Sequence, residues 1–165
     1  MSVDAKEKFL LDQIFSMTLG ATVQRSSTYR KNKTEKDRVD FRHDLQVLLM
    51  VLSEQYRETV TEAEHLKNIK MLADELTQKH AEVLHDRRFR IGSAQKAFNL
   101  YLKHLWCMGR IAMPPHCPID SIVLAHIGTC KNIKWTQLDD IDKYKDVIFE
   151  AQKIAKRKSL SIAEW

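Results

Sequence analysis

Residues 90–127, RIGSAQKAFNLYLKHLWCMGRIAMPPHCPIDSIVLAHI, decide the fold class. Ala97, Phe98, Tyr101, Leu102 and Leu105 recur at the three- and four-residue spacing of one helix face. Gly109 follows as a stop, Met113-Pro114-Pro115 reads as a stiff extended turn, and Pro118 suits the start of a second helix. Ile119, Ile122, Val123, His126 and Ile127 give that second helix its apolar side. The stretch reads as helix, turn, helix.

Two charged residues open these helices in the sequence reading. Lys96 at a helix start meets the positive end of the helix dipole, which disfavours a cation. Such a lysine serves either a phosphate-rich ligand or a chemistry that needs a neutral amine, since positive potential lowers its pKa. Its plain alternative is a solvated lysine at a frayed end. Asp120, just after Pro118, sits where amides are unpaired and negative charge is favoured, so it stays ionised; its plain alternative is an ordinary helix-start aspartate.

Outward from this core the rest of the chain is also helical. Only four glycines and three prolines occur in 165 residues, too few for many short strands joined by turns. A first helix spans Ala5 to about Leu19, and Leu45, Leu48, Leu49, Leu52 and Tyr56 define a buried face between Arg38 and Arg57. Thr61 with Glu64 makes a capping box for a helix whose stripe is Leu66, Ile69, Ala73, Leu76, His80 and Val83, with His80 a hydrogen-bonded core histidine. Thr136 with Asp139 forms another such box and opens a final helix to about Lys156, and Ser161 to Glu164 repeats the pattern. The expectation is an all-α, single compact multi-helix domain over residues 1–165, with a flexible basic loop at about 25–37.

Three cysteines, Cys107, Cys117 and Cys130, make no disulfide framework, and MSVDAKEKFLLDQ lacks the order of a secretory signal. No run of about 18 apolar residues occurs, so no membrane partner is expected. These features predict an intracellular chain, cytoplasmic or nucleoid-associated. The net charge of +5 and pI near 9.1 suit an anionic partner. Arg25, Arg30, Lys31, Lys33, Lys36 and Arg38 surround Tyr29, and Arg87, Arg88 and Arg90 flank Phe89. Such clusters neutralise phosphates, and an aromatic among them can stack on an unpaired base; solvated loops are the bland alternative.

Glycine, lysine four residues on, an apolar helix, a proline-rich turn and then Pro-aliphatic-Asp resembles the helix-hairpin-helix DNA glycosylases of the endonuclease III and 8-oxoguanine glycosylase type. Their Gly-x-Gly-x-Lys hairpin is matched by Gly92, Ser93, Ala94, Gln95 and Lys96, and their Pro-Val-Asp by Pro118, Ile119 and Asp120. The resemblance covers about a quarter of the chain. It departs at Ala94, which replaces the second glycine, in the spacing of 24 between Lys96 and Asp120, and in lacking the four-cysteine iron–sulfur loop. It implies a helix-hairpin-helix-like element within the all-α domain, and a DNA glycosylase that excises a modified or damaged base, with a β-elimination lyase step. Lys96 would attack C1′ of a flipped nucleotide, and Asp120 would support the developing sugar cation. Gly92, Ser93, Ala94 and Gln95 would face a phosphate, with Arg88 and Arg90 as supporting contacts. His116, Trp106 or Tyr101 would meet the extruded base; no cofactor or metal is implied, and nucleic acid, DNA, is the partner.

Three other constellations compete. His116, Cys117, His126 and Cys130 carry zinc-ligand atoms, though the first two are adjacent and no Cys-x-x-Cys supports them. Cys117 at a helix start is also a candidate low-pKa thiol, opposed by nearby Asp120. Arg38 and His43 have the spacing of the Arg-x4-6-His motif in HEPN-type metal-independent ribonucleases, with Val39 where a polar residue is expected. A noncatalytic basic helical module binding nucleic acid or protein needs no motif at all. The glycosylase reading requires Lys96 and Asp120 to converge on one cleft, the ribonuclease reading requires Arg38 and His43 to line a groove, and the module requires neither.

Overall fold

Six α-helices carry the described chain: α1 (Ala5–Thr22), α2 (Glu35–Ser53), α3 (Glu62–His80), α4 (Ile91–Cys107), α5 (Ser121–His126) and α6 (Ile141–Arg157). The structure is a computed structural model and describes residues 4–165. Met1 to Val3, part of the stretch read for a secretory signal, lie outside the described residues. Short 3-10 turns at Glu54–Arg57, His85–Arg87 and Trp135–Gln137 join the helices, and no strand occurs among the described residues. The domain is all-α, and no described helix is long and apolar enough to cross a membrane.

α4 is the hub. It packs against α1, α2, α3, α6 and the Trp135–Gln137 turn, and twelve of its seventeen residues are buried. A helix packed by this many elements keeps only a narrow solvent side, here at Lys103 and Cys107. Phe98, Ala97, Tyr101 and Leu102 fill the core with Phe41, Leu72, Tyr144 and Ile148, while Ser93, Gln95, Lys96 and Asn99 enter it as polar groups that need partners.

Both ends of α4 are built differently from their neighbours. Gly109, at φ 68°, ends it: its amide donates to Trp106 and that of Arg110 to Leu105, the paired bonds of a left-handed glycine cap. At the start, the Ile91 amide donates to Asp139 Oδ1 at 3.1 Å and the Gly92 amide to the Leu138 carbonyl at 2.7 Å. The residue that caps α4 thus lies 48 positions downstream. This reassigns Asp139, which does not open α6; Asp140 does, accepting from the amides of Asp142 and Lys143. α4 also starts five residues before Lys96, so that lysine stands in the second turn rather than at the dipole's end.

Elsewhere the expected local signals hold their places. Thr61 and Glu64 close a reciprocal capping box on α3; a second box, Thr34 with Asp37, opens α2 at Glu35 and was not read from the sequence. The basic segment is bonded to the 83–85 turn at three consecutive residues. Tyr29 bridges to Leu84, the Arg30 amide donates to Val83, and the His85 amide donates to Thr28. On α5 the buried residue is Leu124, and Ile122 turns outward with 67% exposure.

Gly92 leaves no room for a side chain, since a Cβ there would lie 1.7 Å from the Trp135 carbonyl oxygen. Gly92→Ala is expected to push the 135–138 turn off α4 and lower stability by about 3 kcal/mol. The urea midpoint reads this directly, and a midpoint equal to wild type would refute the packing.

Candidate functional site

Two side chains of α4, Gln95 and Lys96, hold the Pro118–Asp120 segment. Gln95, fully buried, accepts the Ile119 amide at 3.1 Å and donates to the Ile119 carbonyl at 2.6 Å. Its carboxamide pairs with that residue as a neighbouring strand would. The next residue, Asp120, then begins α5, with its Oδ1 accepting from the amides of Ile122 (3.0 Å) and Val123 (3.1 Å). Its Oδ2 is left to face α4, where it takes the ammonium of Lys96.

Lys96 and Asp120 therefore meet, 24 residues apart in sequence. Lys96 is 7% exposed, and its Nζ also lies 5.3 Å from the centre of the Trp135 ring, a cation–π contact. Burial pushes the Asp120 carboxyl upward, but the Lys96 hydrogen bond, the Val123 and Ile122 amides and the Lys96 charge together carry it below the ordinary aspartate value. A desolvated pair of this kind is held by its geometry and extra hydrogen bonds more than by net electrostatic gain.

The pair forms part of the wall of an open cleft of about 880 Å³ between α4, α5 and the 158–165 segment. Trp106, Trp165, Lys103 and His126 also line it. A second hollow, about 760 Å³, lies between the 129–140 loop and α6 and contains neither Lys96 nor Asp120.

Other expected site residues are placed differently. Gly92, Ser93 and Ala94 are buried in the first turn of α4, and the Gly92 amide is already bonded to Leu138, so this turn does not present a free hairpin to a phosphate. Arg88 bonds both oxygens of Asp139 through Nε and reaches Asp74 through Nη1 at 2.8 Å; Arg90 pairs with Asp86. Gln95 is spent on Ile119. His116 is 1% exposed with both ring nitrogens engaged, which removes it from the cleft mouth and from a zinc set. No group of three metal-ligating side chains gathers among the described residues. Burial pushes the Cys117 thiol up to about 11, the reverse of an activated thiol. Tyr101 is core, Trp106 lines the cleft, and Tyr29 is packed edge-on against Phe41 beneath Arg38. Arg38 and His43, five apart, are rotated by roughly 140° around α2 and neither lines a hollow described here.

Behind the pair runs a polar network that sequence reasoning missed, buried except where it reaches the surface at Glu62. Its members are Gln95, Asn99, Tyr144, His116 and Glu62, with a branch through His65, Tyr56 and Asn68. Its polarity follows from one backbone hydrogen. The Ile119 amide can only donate, so Gln95 Oε1 faces it; Asn99 must then turn its NH2 toward that oxygen and toward Tyr144. Tyr144 donates to His116 Nδ1, and His116 Nε2–H donates to Glu62. On the branch, Asn99 Oδ1 accepts from His65 Nε2–H, His65 Nδ1 accepts from Tyr56, and Tyr56 accepts from Asn68. Every member is satisfied in this arrangement, and both imidazoles are neutral Nε2–H tautomers.

Burial holds both rings neutral. The His116 pKa falls to about 3 for that reason, and that of His65 to about 3 through burial and then the neighbouring His116. A depressed histidine pKa gives stability that is complete above the unfolded value near 6.5 and is lost as pH falls from there toward 3, because the unfolded chain binds the proton first. The expected loss approaches roughly 1 kcal/mol per pH unit for each ring in that window. Urea midpoints measured from neutral pH downward test it, and a flat profile to about pH 5 would contradict the buried pair.

Comparison with family models, with curated proteins and with solved structures found no match to this chain.

Proposed function

We propose that the chain is a DNA glycosylase with a lyase step, acting through Lys96 and Asp120. One observation carries the reading: a lysine and an aspartate from separate helices meet at the wall of an open cleft, fixed there by Gln95. An extruded nucleotide is the substrate class that fits an amine, a carboxylate and aromatic walls together. Trp106 and Trp165 supply those walls.

In this mechanism the ammonium of Lys96 passes its proton to Asp120 and attacks C1′. The C1′–N bond breaks, its electron pair leaves with the base, and Asp120 returns the proton to that base. Ring opening at O4′, with a proton moved from the lysine nitrogen to that oxygen, gives an iminium between Lys96 and C1′. Loss of a C2′ proton then expels the 3′ phosphate. As that proton leaves it, Asp120 becomes a carboxylate again, and this growing negative charge stabilises the positive charge that builds on the sugar while the C1′–N bond breaks. The closed ion pair is the resting arrangement, and the incoming sugar must displace part of it.

Borohydride trapping on a duplex with an abasic site tests the assignment. Wild type is expected to form a covalent adduct and Lys96→Gln none. Asp120→Asn should still trap the abasic site, which needs no base removal, while base excision drops roughly a hundredfold or more. Circular dichroism establishes that each variant is folded, which matters because Lys96 is buried. An adduct in folded Lys96→Gln would sink the assignment. No adduct with any duplex would favour a noncatalytic module, in which the ion pair only ties α5 to α4.

A further inference from the structure

The net charge of this molecule is concentrated in one short segment. Residues 25–38, RSSTYRKNKTEKDR, hold six cations and two carboxylates, four of the chain's five net positive charges. The two carboxylates are occupied, Glu35 by Arg42 and Asp37 by the Thr34 cap. Arg25, Lys31, Lys33 and Lys36 have no carboxylate within 4.0 Å among the described residues, and Arg25, Lys31 and Lys36 are exposed. Glu82 lies at the edge, paired to Arg30 and Arg87, and Asp86 lies beyond it against Arg90.

The segment is held in shape. The Tyr29–Leu84 bridge, the bonds of Arg30 to Val83 and of His85 to Thr28, and the Thr34 cap fix both of its ends. Two small hollows adjoin on it: one of about 270 Å³ lined by Arg30, Lys31, Asn32 and Lys33, and one of about 340 Å³ that shares Arg30 and Lys31 and extends to Arg87. Ordered cations lose less freedom on meeting a partner than mobile ones do. A run of positive charge unneutralised by the protein stores repulsion that a polyanion relieves.

At the N-terminus of α4, by contrast, the groups expected to meet a phosphate are occupied. The Ile91 and Gly92 amides, Arg88 and Arg90 all have protein partners. The basic segment is bonded to residues 83–85, which lead through Arg87 and Arg88 into the start of α4.

We propose that Arg25, Lys31, Lys33 and Lys36, with Arg30 and Arg87 at the edge, bind the backbone phosphates of the duplex DNA whose extruded nucleotide enters the Lys96 cleft. The choice of duplex DNA as the polyanion rests on the glycosylase reading. The surface grips the backbone without reading sequence, so it supplies affinity and register, and the cleft supplies selection.

The test is fluorescence anisotropy over a salt series, with the full chain and a short fluorescein-labelled duplex carrying a tetrahydrofuran abasic analogue. Wild type is compared with the triple variant Lys31→Gln, Lys33→Gln, Lys36→Gln and with Lys96→Gln. The triple variant is expected to bind at least tenfold more weakly near 0.1 M salt, with the slope of log K against log salt shallower by about 2 to 3. Its thermal midpoint should equal that of wild type, since none of the three lysines makes an ion pair. Lys96→Gln should keep the wild-type slope.

Equal affinity and slope in the triple variant would overturn the proposal. So would wild-type binding to phosphatidylserine vesicles through these lysines with no binding to duplex. Patch-dependent duplex binding without borohydride trapping removes the glycosylase reading and leaves this surface standing; trapping with patch-independent binding does the opposite.

Discussion

Burial of twelve of the seventeen residues of α4 is the constraint from which the rest of the structure follows. Once Gln95, Lys96 and Asn99 are carried inside with the apolar residues, each must find a partner of matching character, because an unpaired buried polar group costs about 1 to 3 kcal/mol. Gln95 finds the Ile119 backbone, Asn99 finds His65 and Tyr144, and Lys96 finds Asp120. These partners come from α3, α6 and the segment entering α5. The polar residues of α4 thus specify which parts of the chain surround it, a role that apolar contacts, being non-directional, cannot perform.

The candidate site is a product of that arrangement. Asp120 divides its two oxygens between the start of α5 and the lysine, so the same carboxylate that begins a helix also orients the amine. The 135–139 turn lies on the other side, placing the Trp135 ring over Lys96 and the Leu138 and Asp139 oxygens on the α4 amides. Close approach there depends on Gly92 having no side chain. The glycine is required for contact between two parts of the protein, whereas the resemblance assigns it to contact with a phosphate.

What was legible in the sequence was local. The Thr61–Glu64 box, the Gly109 stop and the apolar spacing of α4 are all decided within a few residues, and each occurs where expected. Lys96 and Asp120 were readable as a pair, but the means of bringing them together was not. Gln95 gives no sign of its role, because its partner is a backbone segment 24 positions away whose approach no side-chain pattern encodes. Asp139 was misplaced for the same reason: Thr136 three residues earlier offers a plausible local box, while its real task is capping α4 from 48 positions off. On α3 the stripe was drawn through Leu66 and His80; the buried face runs through His65, Ile69, Leu72 and Leu76, so the core histidine is His65. His80 sits at the margin against Asp44.

The single amide hydrogen of Ile119 has a consequence for order within the core. A loop of amides, phenols and imidazoles can ordinarily adopt two sets of proton positions of similar energy, one the reverse of the other, as in the proton disorder of ice. Here a hydrogen that cannot be reversed stands at one end and a carboxylate that cannot donate stands at the other, at Glu62. The degeneracy is removed, and with it the residual entropy of the network. The interior behind the cleft therefore presents one fixed electrostatic face to whatever the cleft admits.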